Sequence, residues 1–127
     1  MNSSSNPINW DSLSEAAVTI NLWANRTFPG RGPRSSLNKL NMEEIPELLT
    51  HLKKHGPEGI GEEWADCMIL LLDLAIIWGV DPAQALEAKM RVNNHRMWLK
   101  DDETGSYNHV KVEHPPIDFT AAEEQRK

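Results

Sequence analysis

The chain has 127 residues, 25% of them charged and 39% apolar, and a formal net charge of -6 at neutral pH. That length suits one domain with its own core, and the negative balance argues against non-specific binding to nucleic acid polymers or to an anionic membrane. One cysteine, Cys67, permits no internal disulfide, which fits a reducing cytoplasm.

Residues 1–10 are expected to form a flexible, polar tail without the apolar core of a signal segment. Asp11 or Ser12 is expected to cap a first helix running to about Arg26, with Leu13, Ala16, Ala17, Ile20 and Ala24 as its apolar stripe. Residues 27–36 (TFPGRGPRSS) hold two prolines, two glycines and two arginines and read as a basic loop. A second helix should start after Ser35 or Ser36 and reach about His55, burying Leu37, Leu40, Ile45, Leu48, Leu49 and Leu52. Pro46 lacks a backbone donor and should bend it. Gly56-Pro57 is a stop signal. A third helix is expected from about Gly61 to Trp78, ended by Gly79. Asp81 caps a fourth helix, opened by Pro82, that continues to about Leu99. Tyr107 to Val112 alternates enough for a short extended segment, and residues 113–127 read as a polar tail.

The fold class is therefore all-α, with residues 11–112 as the domain. The third helix is apolar on every side except at Asp73, so it should be buried all round. Three other helices of this size can hardly cover it, and a homo-oligomer in which copies share it is the economical solution. Its apolar run, Cys67 to Trp78, is shorter than the roughly 20 residues needed to span a bilayer.

Two acidic pairs carry the chemistry. Glu44 and Glu47 are spaced i, i+3, as are Glu63 and Asp66, and fifteen residues separate Glu47 from Glu63. On a helix each pair shares a face, where like charges repel unless a cation neutralises them. Four carboxylates from two facing helices make an oxygen-only site suited to Mg²⁺ or Mn²⁺, ions that commonly handle phosphates. Acids also suit the first turn of a helix, which accounts for Glu62 and Glu63 but poorly for Glu44 and Glu47. Glu43 is a reserve ligand or outer acceptor.

Other residues admit two readings each. Asp73 shares the face of Asp66: it is either a buried acid satisfied by a tryptophan or lysine, or a polar contact to a substrate's sugar or base or to the groups that support the metal ligands. Lys89, Asn93 and Arg96, at i, i+4 and i+7, form a grip for a polyphosphate or simply complement a helix C-terminus. Lys39, at the head of the first acidic segment, joins the substrate-binding set. Arg31 and Arg34 steer a polyanion or are only an exposed loop, and Trp23 meets a nucleobase or packs in the core. The histidines show no zinc-like spacing, and no nucleophile motif or glycine-rich phosphate loop is present.

The pattern Glu43-Glu44-x-x-Glu47 followed by Glu63-x-x-Asp66 resembles the EExxE…ExxD signature of the all-α NTP pyrophosphatases of the MazG type. The Asp81-Pro82 turn and the run Lys89 to Trp98 are similar to that family's closing helix, and the resemblance covers about residues 10–112. Gly105 and His109-Val110-Lys111 are similar to an extension in phage members, which leans toward MazZ, the dGTP-preferring branch. The resemblance implies a four-helix core assembled as a homodimer or homotetramer, in the host cytoplasm if phage-encoded. It also implies hydrolysis of a nucleoside triphosphate to the monophosphate and diphosphate. Glu44, Glu47, Glu63 and Asp66 would hold Mg²⁺ or Mn²⁺, with Glu44 or Glu47 taking a proton from water. Lys89, Asn93 and Arg96 would hold the phosphates. Pro46 departs from the family, which usually has a small residue there. The same machinery on dUTP, dCTP or phosphoribosyl-ATP, a non-catalytic nucleotide-binding regulator and a ligand-free helical oligomer are the competing readings.

Overall fold

A computed structural model describes residues 9–110 of the chain. The tails expected at 1–10 and 113–127 lie outside those residues, apart from Asn9 and Trp10, as do Lys111 and Val112. Helix α1 spans Asp11–Thr27 and α2 spans Pro33–Lys39. A π-helical turn, Leu40–Glu44, joins α2 to α3, Ile45–His55. Helix α4 spans Gly61–Ile77 and α5 spans Pro82–His95. Two short strands, β1 (Trp98–Lys100) and β2 (Tyr107–His109), close the described chain.

The termini follow local chemistry, with corrections to the expected ends. Trp10 takes the first cap position, not Asp11 or Ser12, and Asn9 before it accepts from the Asp11 N–H through its side-chain oxygen at 3.1 Å. Helix α2 opens at Pro33, three or four residues early, because proline presets the helical φ and lacks a donor that the first turn would leave unused. Gly56, at φ 65, ends α3, its N–H donating to the Leu52 oxygen at 2.9 Å. Asp81 caps α5 as expected, accepting from the N–H groups of Ala83 and Gln84. Helix α5 stops at His95 and not near Leu99, since Arg96 turns extended so that Trp98 can pair with His109. The hairpin is antiparallel, with Leu99 opposite Asn108 and Lys100 opposite Tyr107.

Pro46 acts through the turn before it. A proline ring collides with the carbonyl four residues back in a regular α-helix. Here the preceding turn widens, and the Ile45 N–H reaches five residues back to the Leu40 oxygen. Proline therefore produces a one-residue bulge in an otherwise continuous helical rod from Pro33 to His55.

Helix α4 is central: α1, α2 and α3 pack on it, and α5 packs on α1. Leu40, Cys67 and Leu74 form the core with Leu48, Leu70 and Ile77 against them. Helix α4 is not buried all round within one chain, since Ile69 and Leu71 are exposed. Leu37, Ile45, Leu49 and Leu52, expected on a buried side, are exposed as well.

Candidate metal centre and its two cavities

Glu44 ends the π-turn, Glu47 lies in the first turn of α3, and Asp66 stands on α4. Each offers a carboxylate oxygen within 4.8 Å of those of the other two. Glu44 is only 7% exposed. Its Oε2 is buried with no hydrogen-bond partner among the described residues. Its Oε1 lies 3.4 Å from Nζ of Lys39, which is also 3.4 Å from Glu43 Oε1. Burial pushes the Glu44 carboxyl up, the hydrogen bond from Lys39 pulls it down, and the charges of Glu47 and Asp66 raise it again; the balance lies above the usual glutamate value. The hydrogen bond to Glu44 in turn raises the Lys39 ammonium. Burial, then Glu44, Asp66 and Glu47, raise the Cys67 thiol beneath them.

Three crowded carboxylates, one with an orphaned buried oxygen, fit a hard divalent cation. The donor set is all oxygen, which favours Mg²⁺ or Mn²⁺ over softer ions. The sequence grouped Glu63 with these three, but the structure places it beside them in another grip: its Oε1 is 2.6 Å from His51 Nδ1.

Asp66 lines two cavities. The first, about 600 Å³, is polar: Glu47, Glu63 and Asp66 share it with His51, Lys54 and His55. The second, about 500 Å³, sets Trp23, Phe28, Ile69 and Leu70 beside Lys39 and Glu44. Trp23 is not a core residue; it is 46% exposed and meets Phe28 edge-on at 5.6 Å. His51 and Lys54 were missed in the sequence, although they follow Glu47 at i+4 and i+7 on one face of α3.

Lys89, Asn93 and Arg96 line neither cavity. Arg96 lies past the end of α5 and donates to Asn93 Oδ1 at 3.3 Å, so the three no longer form one helical face. The phosphate grip is not assembled with the acids inside one chain.

Asp73 is the buried acid of the first reading, with a different partner, and it also lines the second cavity. It is 2% exposed, and the side chain that satisfies it is an arginine, not a tryptophan or lysine. Arg31 donates to Oδ2 at 2.6 Å and to Oδ1 at 2.8 Å, Asn21 donates to Oδ1 at 2.9 Å, and Ser36 donates to Oδ2 at 2.9 Å. Burial alone would raise this carboxyl; the hydrogen bonds from Arg31, Asn21 and Ser36 outweigh it and hold it below the usual aspartate value. Arg31 is accordingly a buried partner and not an exposed steering charge. It ties the 27–36 segment to α4 and forms part of the second cavity's wall.

No protein-family model matches the chain. It is 37% identical over 98 residues to a dATP/dGTP diphosphohydrolase of Cyanophage S-2L, covering 77% of this chain and 88% of that protein. A dATP/dGTP diphosphohydrolase of Salmonella phage PMBT28 is also 37% identical over 98 residues, which make up 31% of that longer protein. Among solved structures, the Cyanophage S-2L MazG-like pyrophosphohydrolase bound to dGDP and three catalytic Mn²⁺ ions per active site is similar at TM-score 0.60. That match has 33% identity and covers 83% of this chain and all of that one.

Proposed function

Because the chain belongs to the phage MazG-like pyrophosphohydrolase family, we propose that it hydrolyses a purine deoxynucleoside triphosphate, dGTP foremost, to the monophosphate and diphosphate. The observation that carries this reading is Asp66, shared by an apolar cavity and a polar one. An acid centre at such a junction suits a substrate with a flat base at one end and a polyanion at the other, and both cavities fall in the usual size range for small-molecule sites, roughly 300–1,000 Å³.

Glu44, Glu47, Glu63 and Asp66 would hold Mn²⁺ or Mg²⁺. When bound, such ions offset phosphate charge and acidify water. Glu47, which is exposed where Glu44 is buried, accepts the proton of the attacking water. Water adds in line at the α-phosphorus, the bond from that phosphorus to the α,β-bridging oxygen breaks, and diphosphate leaves. Trp23 and Phe28 offer faces to the base, and Lys39 stands beside the acids in the same cavity. Within one chain Lys54 faces the phosphates. Lys89, Asn93 and Arg96 serve them where a second copy brings α5 to the site. Asp73 acts through Arg31, shaping the apolar cavity without touching the substrate.

The exposed apolar residues Ile45, Leu49, Leu52 and Leu71 suit burial in a homodimer or homotetramer, a point for light scattering in solution. Among the described residues no helix is long and apolar enough to cross a membrane. A free nucleotide substrate and a lone thiol fit the host cytoplasm.

Diphosphate release from each common nucleotide, with Mn²⁺ or Mg²⁺ against an EDTA control, tests the reading. Metal-dependent release from dGTP above the others is expected. Release from a pyrimidine nucleotide alone would discard the purine assignment, and no release from any nucleotide would leave a binding role in its place. Trp23→Ala should raise KM for dGTP about tenfold, within the ~1–3 kcal/mol that base–aromatic stacking contributes.

A further inference from the structure

Both ring nitrogens of His51 are engaged. Nε2 stands 2.6 Å from the backbone oxygen of Glu58, and Nδ1 stands 2.6 Å from Oε1 of Glu63. A carbonyl oxygen only accepts, so Nε2 carries a hydrogen there. Nδ1 faces the Glu63 carboxylate at hydrogen-bond distance on the other side of the ring. The two side chains are 18% and 19% exposed, too little for a casual surface contact.

The surroundings hold the ring in place. Glu58 belongs to the short turn between α3 and α4, and Gly59 in that turn passes close to the imidazole: a Cβ on it would lie 3.7 Å from Cε1. His51 follows Glu47 by one helical turn on α3, and Glu63 precedes Asp66 by three residues on α4. The imidazole therefore bridges the acidic face of one helix and the opening turn of the other.

We propose that His51 is a positioning residue of the metal centre: anchored on the Glu58 oxygen, it grips Glu63 and fixes where the fourth carboxylate stands relative to Glu44, Glu47 and Asp66. This rests on the metal-dependent reading above. A glutamate left free beside three like charges would turn toward water. Held by a donor, it is pre-organised, as carboxylates at metal centres are when a hydrogen-bond partner orients them.

Two substitutions separate the contacts. His51→Asn puts an amide nitrogen near the Nδ1 position, keeping the donor to Glu63 and dropping Glu58. His51→Gln reaches the Nε2 position, keeping Glu58 and dropping Glu63. Mn²⁺ binding is read by electron paramagnetic resonance without nucleotide, alongside kcat and KM for dGTP and a thermal melt. His51→Asn should bind Mn²⁺ within about threefold of the parent, and His51→Gln should weaken it about tenfold or more. In His51→Gln, kcat should fall more than KM rises. Parental Mn²⁺ affinity in His51→Gln, or the reverse order of the two variants, would overturn the proposal and leave the ring as a staple for the turn. If either variant fails to fold, Glu63→Gln decides: it must lose Mn²⁺ affinity to the same degree, and parental affinity there also overturns the proposal. Failure of the functional reading shows separately, as the parent protein releasing no diphosphate.

Discussion

Asp66 and Asp73 lie two turns apart on α4, and the protein treats them oppositely. Asp73 is enclosed, and four donor contacts from Arg31, Asn21 and Ser36 occupy both its oxygens. Asp66 faces Glu44 and Glu47, where Lys39 stands 3.4 Å from one oxygen of Glu44 and the other, buried, has no partner among the described residues. A saturated carboxylate is scaffold; a crowd of carboxylates short of positive charge is a place for a ligand. The contrast is drawn by partners and not by burial, because Glu44 is nearly as enclosed as Asp73.

The largest expected effect breaks the unsaturated side. Glu47→Ala should lower kcat for dGTP about a thousandfold, within the range for loss of a general base, which is about 4 kcal/mol in barrier. Its melting temperature should hold or rise, because a like charge has gone. Parental turnover in that variant would sink the assignment. On the saturated side, Arg31→Ala should cost stability and not chemistry first, by about 3 kcal/mol in urea unfolding, since it strands a buried charge. A change below about 0.5 kcal/mol would mean that Asn21 and Ser36 suffice.

Cation binding sharpens the comparison. Mn²⁺ at a hundred times its dissociation constant should stabilise the parent by about 2.7 kcal/mol, and Glu44→Gln should reduce that gain. A parent melt unmoved by Mn²⁺ would count against the centre. The smallest effect is in pH. The folded pKa of Asp73 is depressed, so its contribution is complete above the unfolded value of 3.8 and is lost as pH falls through the lower folded value. Glu44 has the opposite sign without metal. Its folded pKa is raised above 4.5, so it opposes folding at neutral pH, and acidification through that raised value relieves the penalty. Unfolding in EDTA should therefore show Asp73→Asn losing the acid-side decline and Glu44→Gln losing the relief.

Much of the helical frame was legible because its signals are local. The stops at Gly56 and Gly79, the cap at Asp81 and the i, i+3 acid pairs are read within a few residues. The acids Glu44, Glu47 and Asp66 were found that way. Arg31 was not placed, because its partner lies 42 residues away and an arginine among glycines and prolines looks solvated. The second strand falls within the extended segment expected from Tyr107, but the first escaped for a similar reason: no glycine or proline marks the end of α5, and the Trp98–His109 pairing that pulls Arg96 out of the helix is non-local. His51 was set aside for lacking zinc-like spacing, although its place one turn after Glu47 was visible. Pro46 announced a bend but not its form.

The widened turn at Leu40–Glu44 also bears on how this chain tolerates changes of length. It brings Lys39 to Glu44 across five positions, where a regular helix would offer four. The rod thus reads as a plain α-helix carrying one inserted residue, with the segments on either side still in phase. Met42, exposed within the bulge, is the residue to delete. Its loss would meet resistance from the Pro46 ring, so Pro46→Ala belongs with it. The shortened double variant should keep Ser36 under Asp73, Lys39 beside Glu44 and the parental Mn²⁺ affinity. A collapse of that affinity would show that the insertion had become indispensable to the helix that absorbed it.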